Sequence, residues 1–318
     1  MSDGPHGRQD ALWGRVLACL GDGHWHALAS CTVSCGVGAL ALRRALRDYA
    51  RRGAPLQFDG ARGVRLRAPV TPLAPRRVRI RAVTCFETDS TNAQLLQALK
   101  QGVSHPLALA AEQQTRGRGR HERRWLTPLG GGVALSLAWP SALLPGGRPP
   151  PALSLRVGGA LAQACVRLGV RNVRLKWPND LLVKGRKLGG ILVEGNATGV
   201  VIGVGLNHAF PQGWRSRVGQ PLTSLSDSLG RRVPPRSRVL DVVLDALLAE
   251  MGSDDEAWRD RFARRDALAG RPVRVSGVGG EVWEGVANGV TRDGALRVIT
   301  SGGERLCHAG EVSVRLGG

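Results

Sequence analysis

Four short stretches place polar or flexible side chains where chemistry could be done. Ser90-Thr91-Asn92 offers two hydroxyls and an amide in succession, a set able both to donate to and to accept from a neutral heterocycle. The run from Glu112 to Trp125, EQQTRGRGRHERRW, holds five arginines and two glycines. It lacks the GxxxxGK[ST] spacing of a nucleotide P-loop. Two uses remain: a disordered basic arm for nucleic acid, or a loop that folds over a small anion, with arginine forks on phosphate oxygens and glycines permitting close backbone approach. KWPND and GRKLGG, between Lys176 and Gly190, set Lys187 among apolar residues, where a lone ammonium is costly unless it meets an anionic ligand. GVGLN, from Gly203 to Asn207, ends another apolar run in a polar turn.

Such residues need a sheet to hold them. VRIRAVTCFETDSTNAQLLQALKQG reads as a strand, a turn capped by Asp89 or Ser90, and an amphipathic helix closed by Gly102. LALAAEQQ and GVALSLAW are strand-length apolar runs on either side of the arginine-glycine stretch, which makes that stretch a loop between core strands and argues against a free arm. PPPALSLRVGGALAQACVRLG is a long helix opened by prolines. VRLKWPNDLLVKGRKLGGILVEG holds three short strands, with turns at Pro178-Asn179-Asp180 and Lys184-Gly185. GVVIGVGLNHAF is another buried strand, and SRVLDVVLDALLAEM and DDEAWRDRFARRDAL give two further helices. A mixed sheet with helices on one side accommodates these elements. All four polar stretches then fall at ends of buried strands and converge on one pocket.

The flanks differ from this central part. Residues 1–68 carry helical periodicity in ALWGRVLACL and GALALRRALRDYARRG, followed by a hairpin around Asp59-Gly60, the pattern of a winged helix-turn-helix. Its third helix would enter the major groove with Arg43, Arg44 and Arg47 as contacts, although its front, CGVGAL, offers few groups that read base edges. RAPVTPLAPRR carries three prolines and marks a linker over 69–79. Residues 80–267 form the central domain. Residues 268–318 contain the short alternating runs RPVRVS, EVWEGVANGVT, ALRVIT and EVSVRL, which read as a small SH3-like β-barrel. The fold class is α+β.

Composition bounds the reading without assigning it. A net charge of +20 attracts phosphate-bearing partners. It is carried by arginine with only four lysines, in a chain rich in Ala, Gly, Pro and Val, so a GC-rich genome accounts for it equally well. The six cysteines, Cys19, Cys31, Cys35, Cys85, Cys165 and Cys307, show neither a CxxC pair nor a disulfide rhythm, and imply a reducing, cytoplasmic setting. His24, His26, Cys31 and Cys35 could be drawn as a zinc site, but their spacing fits no ordinary finger, and no metal ligands are assigned. No signal peptide or apolar run long enough to span a membrane is expected.

Taken in order, DSTN, GRGR followed by a tryptophan, KWPNDLLV, RKLGGILVE and GVGLN resemble the biotin protein ligase family, and the likeness continues through ALAGRPVRV and GALRVIT. With the N-terminal unit it resembles the bifunctional form that also acts as biotin operon repressor. The resemblance implies a class II synthetase-like (biotin/lipoate ligase) catalytic domain. The implied reaction uses biotin, ATP and Mg2+, makes biotinyl-5'-adenylate, and transfers biotin to a lysine of the biotin carboxyl carrier domain of acetyl-CoA carboxylase. By position, Ser90, Thr91, Asn92 and Gln114 would bind biotin; Gly117, Arg118, Gly119 and Arg120 would order over biotin and adenylate. Lys187 would bridge the biotin carboxylate and the α-phosphate, with Arg118 and Arg120 as further catalytic residues. Asn179, Asp180, Gly190, Val204 and Asn207 would line the nucleotide side. Operator DNA and a homodimer formed with adenylate bound are the other implied partners. One departure stands out: after GRGR the family continues with a basic residue and glycine, where this chain has His121-Glu122. The alternatives are a lipoate protein ligase, a DNA-binding biotin sensor without ligase activity, and a nonspecific nucleic-acid binder.

Overall fold

The computed structural model describes residues 5–67, 70–74, 80–253, 257–277, 280–309 and 312–316. Three helices open the chain: α1 (Pro5–Leu20), α2 (Leu28–Cys35) and α3 (Ala39–Arg51). A two-stranded antiparallel hairpin, β1 (Leu56–Asp59) and β2 (Gly63–Leu66), follows them. α3 forms because Leu42, Leu46 and Tyr49 recur on one face and bury there, leaving Arg43, Arg44 and Arg47 exposed. The hairpin turn is tied by the Asp59 carboxylate, which accepts from the amides of Ala61 and Arg62. Cys31 and Cys35 are buried in this unit, whereas the His26 ring bonds Asp22 at 3.0 Å, so the histidines and cysteines do not converge.

The central sheet has seven strands: β3 (Arg81–Thr88), β4 (Leu107–Gln114), β5 (Gly132–Pro140), β6 (Val173–Lys176), β7 (Asp180–Val183), β8 (Arg186–Asn196) and β9 (Gly199–Asn207). Their spatial order is β3-β4-β5-β9-β8-β7-β6. Only β3 and β4 run parallel, joined by the crossover helix α4 (Thr91–Lys100); the remaining pairs are antiparallel. The β7–β8 turn is set by Lys184 and Gly185, both at positive φ (49° and 72°), the geometry of a two-residue hairpin.

Helices lie on both faces, which corrects the one-sided arrangement expected from sequence. The reason is that both parities of β5 and β9 are apolar. Val133, Leu135, Leu137, Ile202 and Val204 join the core that holds α5 (Leu153–Arg167) and α7 (Arg236–Met251). Ala138 and Val201, of opposite parity, pack on Leu95 and Leu99 of α4. Two short helices, α6 (Leu225–Leu229) and α8 (Trp258–Ala263), complete this part.

The last strands are β10 (Pro272–Gly277), β11 (Val282–Val290), β12 (Leu296–Thr300), β13 (Gly303–Cys307) and β14 (Val312–Leu316). They form an antiparallel sheet in the order β13-β12-β11-β10-β14, and among the described residues β13 and β14 do not pair, so the expected barrel is here a five-stranded sheet. Val273, Val275, Leu296 and Val298 share the core of the central domain, and Trp177 donates to the carbonyl of Gly294 across the junction.

The segment expected as a linker, 69–79, falls partly outside the described residues, at 69 and 75–79. Residues 70–74 are packed: Val70 and Leu73 are buried, and the backbone of Thr71 accepts from Arg236. The guanidinium of Arg236 is fully buried and pairs bidentately with Glu112, whose carboxylate also accepts from the amide of Leu73. At the other contact, Arg52 meets Glu87 at 2.6 Å, and Phe86 and Leu129 of the central part enter the core of the N-terminal unit.

Candidate active site

A pocket of about 1480 Å³ opens on the sheet face that carries α4. Its floor is made by strand residues without bulk. A Cβ at Gly203 would overlap the Asn92 amide, and one at Gly205 would overlap the Trp125 indole; with glycine at both places these groups lie against the strand. Both glycines of GVGLN are therefore a packing requirement.

At one end of the pocket the polar residues form a network. Ser90 caps α4. The Gln114 side-chain oxygen accepts from the amide of Thr91 at 2.8 Å and from its hydroxyl at 3.1 Å. Ser136 donates within 2.6 Å of Asn92 Oδ1 and lies 2.7 Å from Thr91 Oγ1, while Asn92 Nδ2 donates to Glu194 at 2.9 Å. Gln114 Nε2 donates to Thr127. Each amide is held in one orientation by its neighbours; Ser90, Thr91, Asn92, Thr127 and Ser136 are buried and Gln114 and Glu194 half-buried. Such a slot suits a small neutral ring with both donors and acceptors.

Above it stands the arginine-glycine stretch, folded as a hairpin. Arg118 and Arg124 form an antiparallel bridge, Gly119 donates to the carbonyl of Arg123 at 2.7 Å, and Arg123 donates to that of Arg120 at 3.2 Å. The two central residues of this turn, His121 and Glu122, have φ of 51° and 57°. Both positions of a type I′ turn favour glycine or asparagine. Here the turn geometry is kept with two side chains that strain it. Glu122 is exposed and is not among the residues lining the pocket, so its carboxylate does not enter the anion site. Arg118 reaches Glu194 at 2.7 Å, and the Arg120 guanidinium lies 3.2 Å from His121 Nε2. Burial lowers the pKa of Arg120, with Asp180 opposing that effect; burial, Arg120 and Arg123 together lower the pKa of His121.

Lys187 enters from β8. Its Nζ lies 2.7 Å from Asp180 Oδ1 and 5.6 Å from the centre of the Trp125 ring. Among the described residues lining the pocket, nine are Arg or Lys and one, Asp180, is a carboxylate, so the wall is built for an anionic ligand.

The structure brings all but one of the residues expected to bind biotin or nucleotide to this wall: Ser90, Thr91, Asn92, Gln114, Arg118, Gly119, Arg120, Asn179, Asp180, Lys187, Gly190, Val204 and Asn207. Gly117 stands behind it, where a side chain would overlap the carbonyl of Trp125. Asn179 and Asn207 turn their amides inward, donating to the carbonyls of Ile191 and of Lys187 and Thr223, and so brace the strands. Arg43, Arg44 and Arg47 lie apart from the pocket, on the N-terminal unit. Trp177 is buried and borders the pocket while its indole donates to Gly294, and Trp125 lines the pocket beneath Lys187. Ser136, Thr127 and Glu194 were not singled out by sequence. A hydroxyl within the apolar run VALSLAW was the available signal for Ser136.

A mixed sheet with an amide-and-hydroxyl slot, a basic hairpin above it and a small antiparallel sheet behind it is the architecture of a biotin/lipoate-type ligase. Residues 84–207 match the model of the biotin/lipoate A/B protein ligase family, and residues 269–315 match the biotin protein ligase C terminal domain. The chain is 33% identical over 237 residues to a biotin--[acetyl-CoA-carboxylase] ligase of Mycobacterium tuberculosis, covering 71% of this chain and 86% of that protein. It is 29% identical over 315 residues to the bifunctional ligase/repressor BirA of Escherichia coli, covering 95% of this chain and 96% of that one. The fold is shared with a biotin protein ligase from Aquifex aeolicus solved in complex with biotin and ATP (TM-score 0.65, 24% identity, 74% of this chain and 99% of that chain). The chain belongs to the biotin protein ligase family.

Proposed function

We propose that this protein joins biotin to a lysine of a biotin carboxyl carrier domain, that of acetyl-CoA carboxylase, at the expense of ATP. The observation that carries this reading is the prearranged network of Thr91, Asn92, Gln114 and Ser136 lying under a hairpin of arginines and beside Lys187. In the first step a biotin carboxylate oxygen attacks the α-phosphorus of ATP, the bond to the β-phosphate oxygen breaks, and pyrophosphate leaves with the electron pair. Ser90, Thr91, Asn92 and Gln114 hold the ureido ring. Lys187 faces both the carboxylate and the α-phosphate and offsets the charge that gathers between them, while Arg118 and Arg120 close from above. Gly117 and Gly119 let the loop approach, and Asp180, Gly190, Val204, Asn179 and Asn207 shape the nucleotide side. In the second step the carrier amine attacks the acyl carbon, an amide forms, and AMP leaves.

Mg2+ fits this site only as a companion of the nucleotide. Among the described residues no cluster of His, Cys, Asp and Glu could cage an ion, and Asp180 is already paired with Lys187.

A second activity is favoured by a specific observation. Three helices and a hairpin with exposed Arg43, Arg44 and Arg47 support the reading of a winged helix-turn-helix, and a relative that spans this unit is named a ligase/repressor. The N-terminal unit binds operator DNA, and a homodimer formed with adenylate bound provides two half-sites. The C-terminal sheet is the SH3-like unit of the ligase.

The test is incubation of the purified chain with labelled biotin, ATP, Mg2+ and a carrier domain. Label on the carrier lysine, with no label when lipoate replaces biotin, is expected. Label from lipoate alone would replace this reading with a lipoate ligase; adenylate-free biotin binding would replace it with a sensor.

A further inference from the structure

The recognition helix of the N-terminal unit has an unusual front. Its exposed stripe is Leu40, Arg43, Arg44 and Arg47, at the spacing of one helix face. Leu40 is 65% exposed, and Val33, near the end of the preceding helix, is 83% exposed. Neither contributes to the buried core of this unit, which is made by Leu42, Leu46, Tyr49 and the residues packed on them. The first turn of α3 is Ala39, Leu40, Ala41 and Leu42, with Gly38 before it, so it holds no side chain able to donate to or accept from a base edge. Among the described residues no carboxylate pairs with Arg43, Arg44 or Arg47, whereas Asp48, on the same helix, is taken by Arg52 at 2.8 Å.

In a helix-turn-helix the N-terminal residues of the second helix meet the base edges. Only one base feature in the major groove is read by apolar contact, the 5-methyl group of thymine. We propose that Leu40 is a specificity-determining residue that reads thymine methyl groups of duplex DNA in the major groove, with Arg43, Arg44 and Arg47 holding the phosphates on either side. This inference rests on the DNA-binding reading of the N-terminal unit and adds the chemistry of its recognition. Exposed leucine ahead of three unpaired arginines fits a surface that is apolar at the groove floor and anionic at its rim.

The experiment uses the full chain with biotin and ATP present. Preferred duplexes are selected from a random pool, and binding is then measured with dT replaced by dU at the most strongly selected positions. Each methyl buried against Leu40 should weaken binding about fourfold on removal. Leu40→Ala should abolish that dT/dU difference while leaving the salt dependence unchanged. Arg44→Gln should do the reverse, lowering the slope of log affinity against log salt by about 0.9 and keeping the difference. Unchanged carrier biotinylation in both variants reports that they fold. A selected sequence whose affinity ignores dT→dU, or a difference that survives Leu40→Ala, overturns the role of Leu40 alone. No sequence preference in any duplex overturns the DNA-binding reading as well.

Discussion

The ammonium of Lys187 lies 2.7 Å from the carboxylate of Asp180, in a pocket wall that is otherwise basic. This pair neutralises the lysine until a ligand brings its own negative charge. The role assigned to Lys187 is charge compensation in the transition state, so its loss should fall on kcat more than on binding. Lys187→Ala is expected to slow adenylate formation about 10²- to 10³-fold, with the biotin Kd changed by much less. Single-turnover kinetics beside calorimetry separate the two.

Gly203→Ala should damage the proposed biotin slot without touching a proposed catalytic group. Its new methyl would occupy the space of the Asn92 amide, which is locked by Ser136 and Glu194 and cannot swing away cheaply. The KM for biotin is expected to rise at least tenfold, because a network held by several bonds loses more than one when displaced. The KM for ATP is the internal comparison and should change little.

The turn at His121 and Glu122 predicts a gain. A left-handed conformation costs a residue with a side chain about 1 kcal/mol, and glycine nothing comparable. Glu122→Gly is expected to steady the hairpin and slow release of the adenylate about threefold to fivefold. Stopped-flow displacement of bound adenylate reads this directly.

His208 predicts the acid limb of stability. Nε2 donates to the carbonyl of Pro234 at 2.7 Å, and Nδ1 is buried with no partner among the described residues, so the ring is held neutral and its pKa is lowered to about 4, chiefly by burial. The folded value lies below the unfolded one of about 6.5. The unfolded chain therefore binds the extra proton, and this contribution, constant above that pH, is lost as pH falls through 6.5 towards 4, amounting to roughly 3 kcal/mol. Urea midpoints measured across this range should flatten in His208→Gln.

Arg236→Ala should be the most destabilising of these changes. The guanidinium is 0% exposed and binds Glu112 bidentately, so its removal strands a buried carboxylate. A loss of about 3–5 kcal/mol is expected. Because the same carboxylate holds the amide of Leu73, proteolysis near residues 70–74 should also accelerate.

Much of this arrangement was legible before any coordinates. LALAAEQQ and GVALSLAW are β4 and β5 nearly to the residue, because apolar runs bounded by glycine and polar turns leave little choice. The pocket wall was legible for a related reason: polar groups at the ends of buried strands must face a cavity. β13 was not, since GERLC is an exposed edge with only Cys307 buried and carries no alternation to find. The partner of Arg236 could not be found either, because Glu112 lies 124 residues away and no local pattern links them. The place of Trp125 was not legible, because no local pattern shows that Gly205 leaves room for its indole beside Lys187.

The central claim is that this pocket activates biotin with ATP. Exchange of labelled pyrophosphate into ATP measures the first step alone, with no carrier required. Exchange that depends on biotin, is absent with lipoate, and falls about 10²-fold or more in Lys187→Ala is the predicted result. Exchange that proceeds without biotin, or equally well without Lys187, would contradict it.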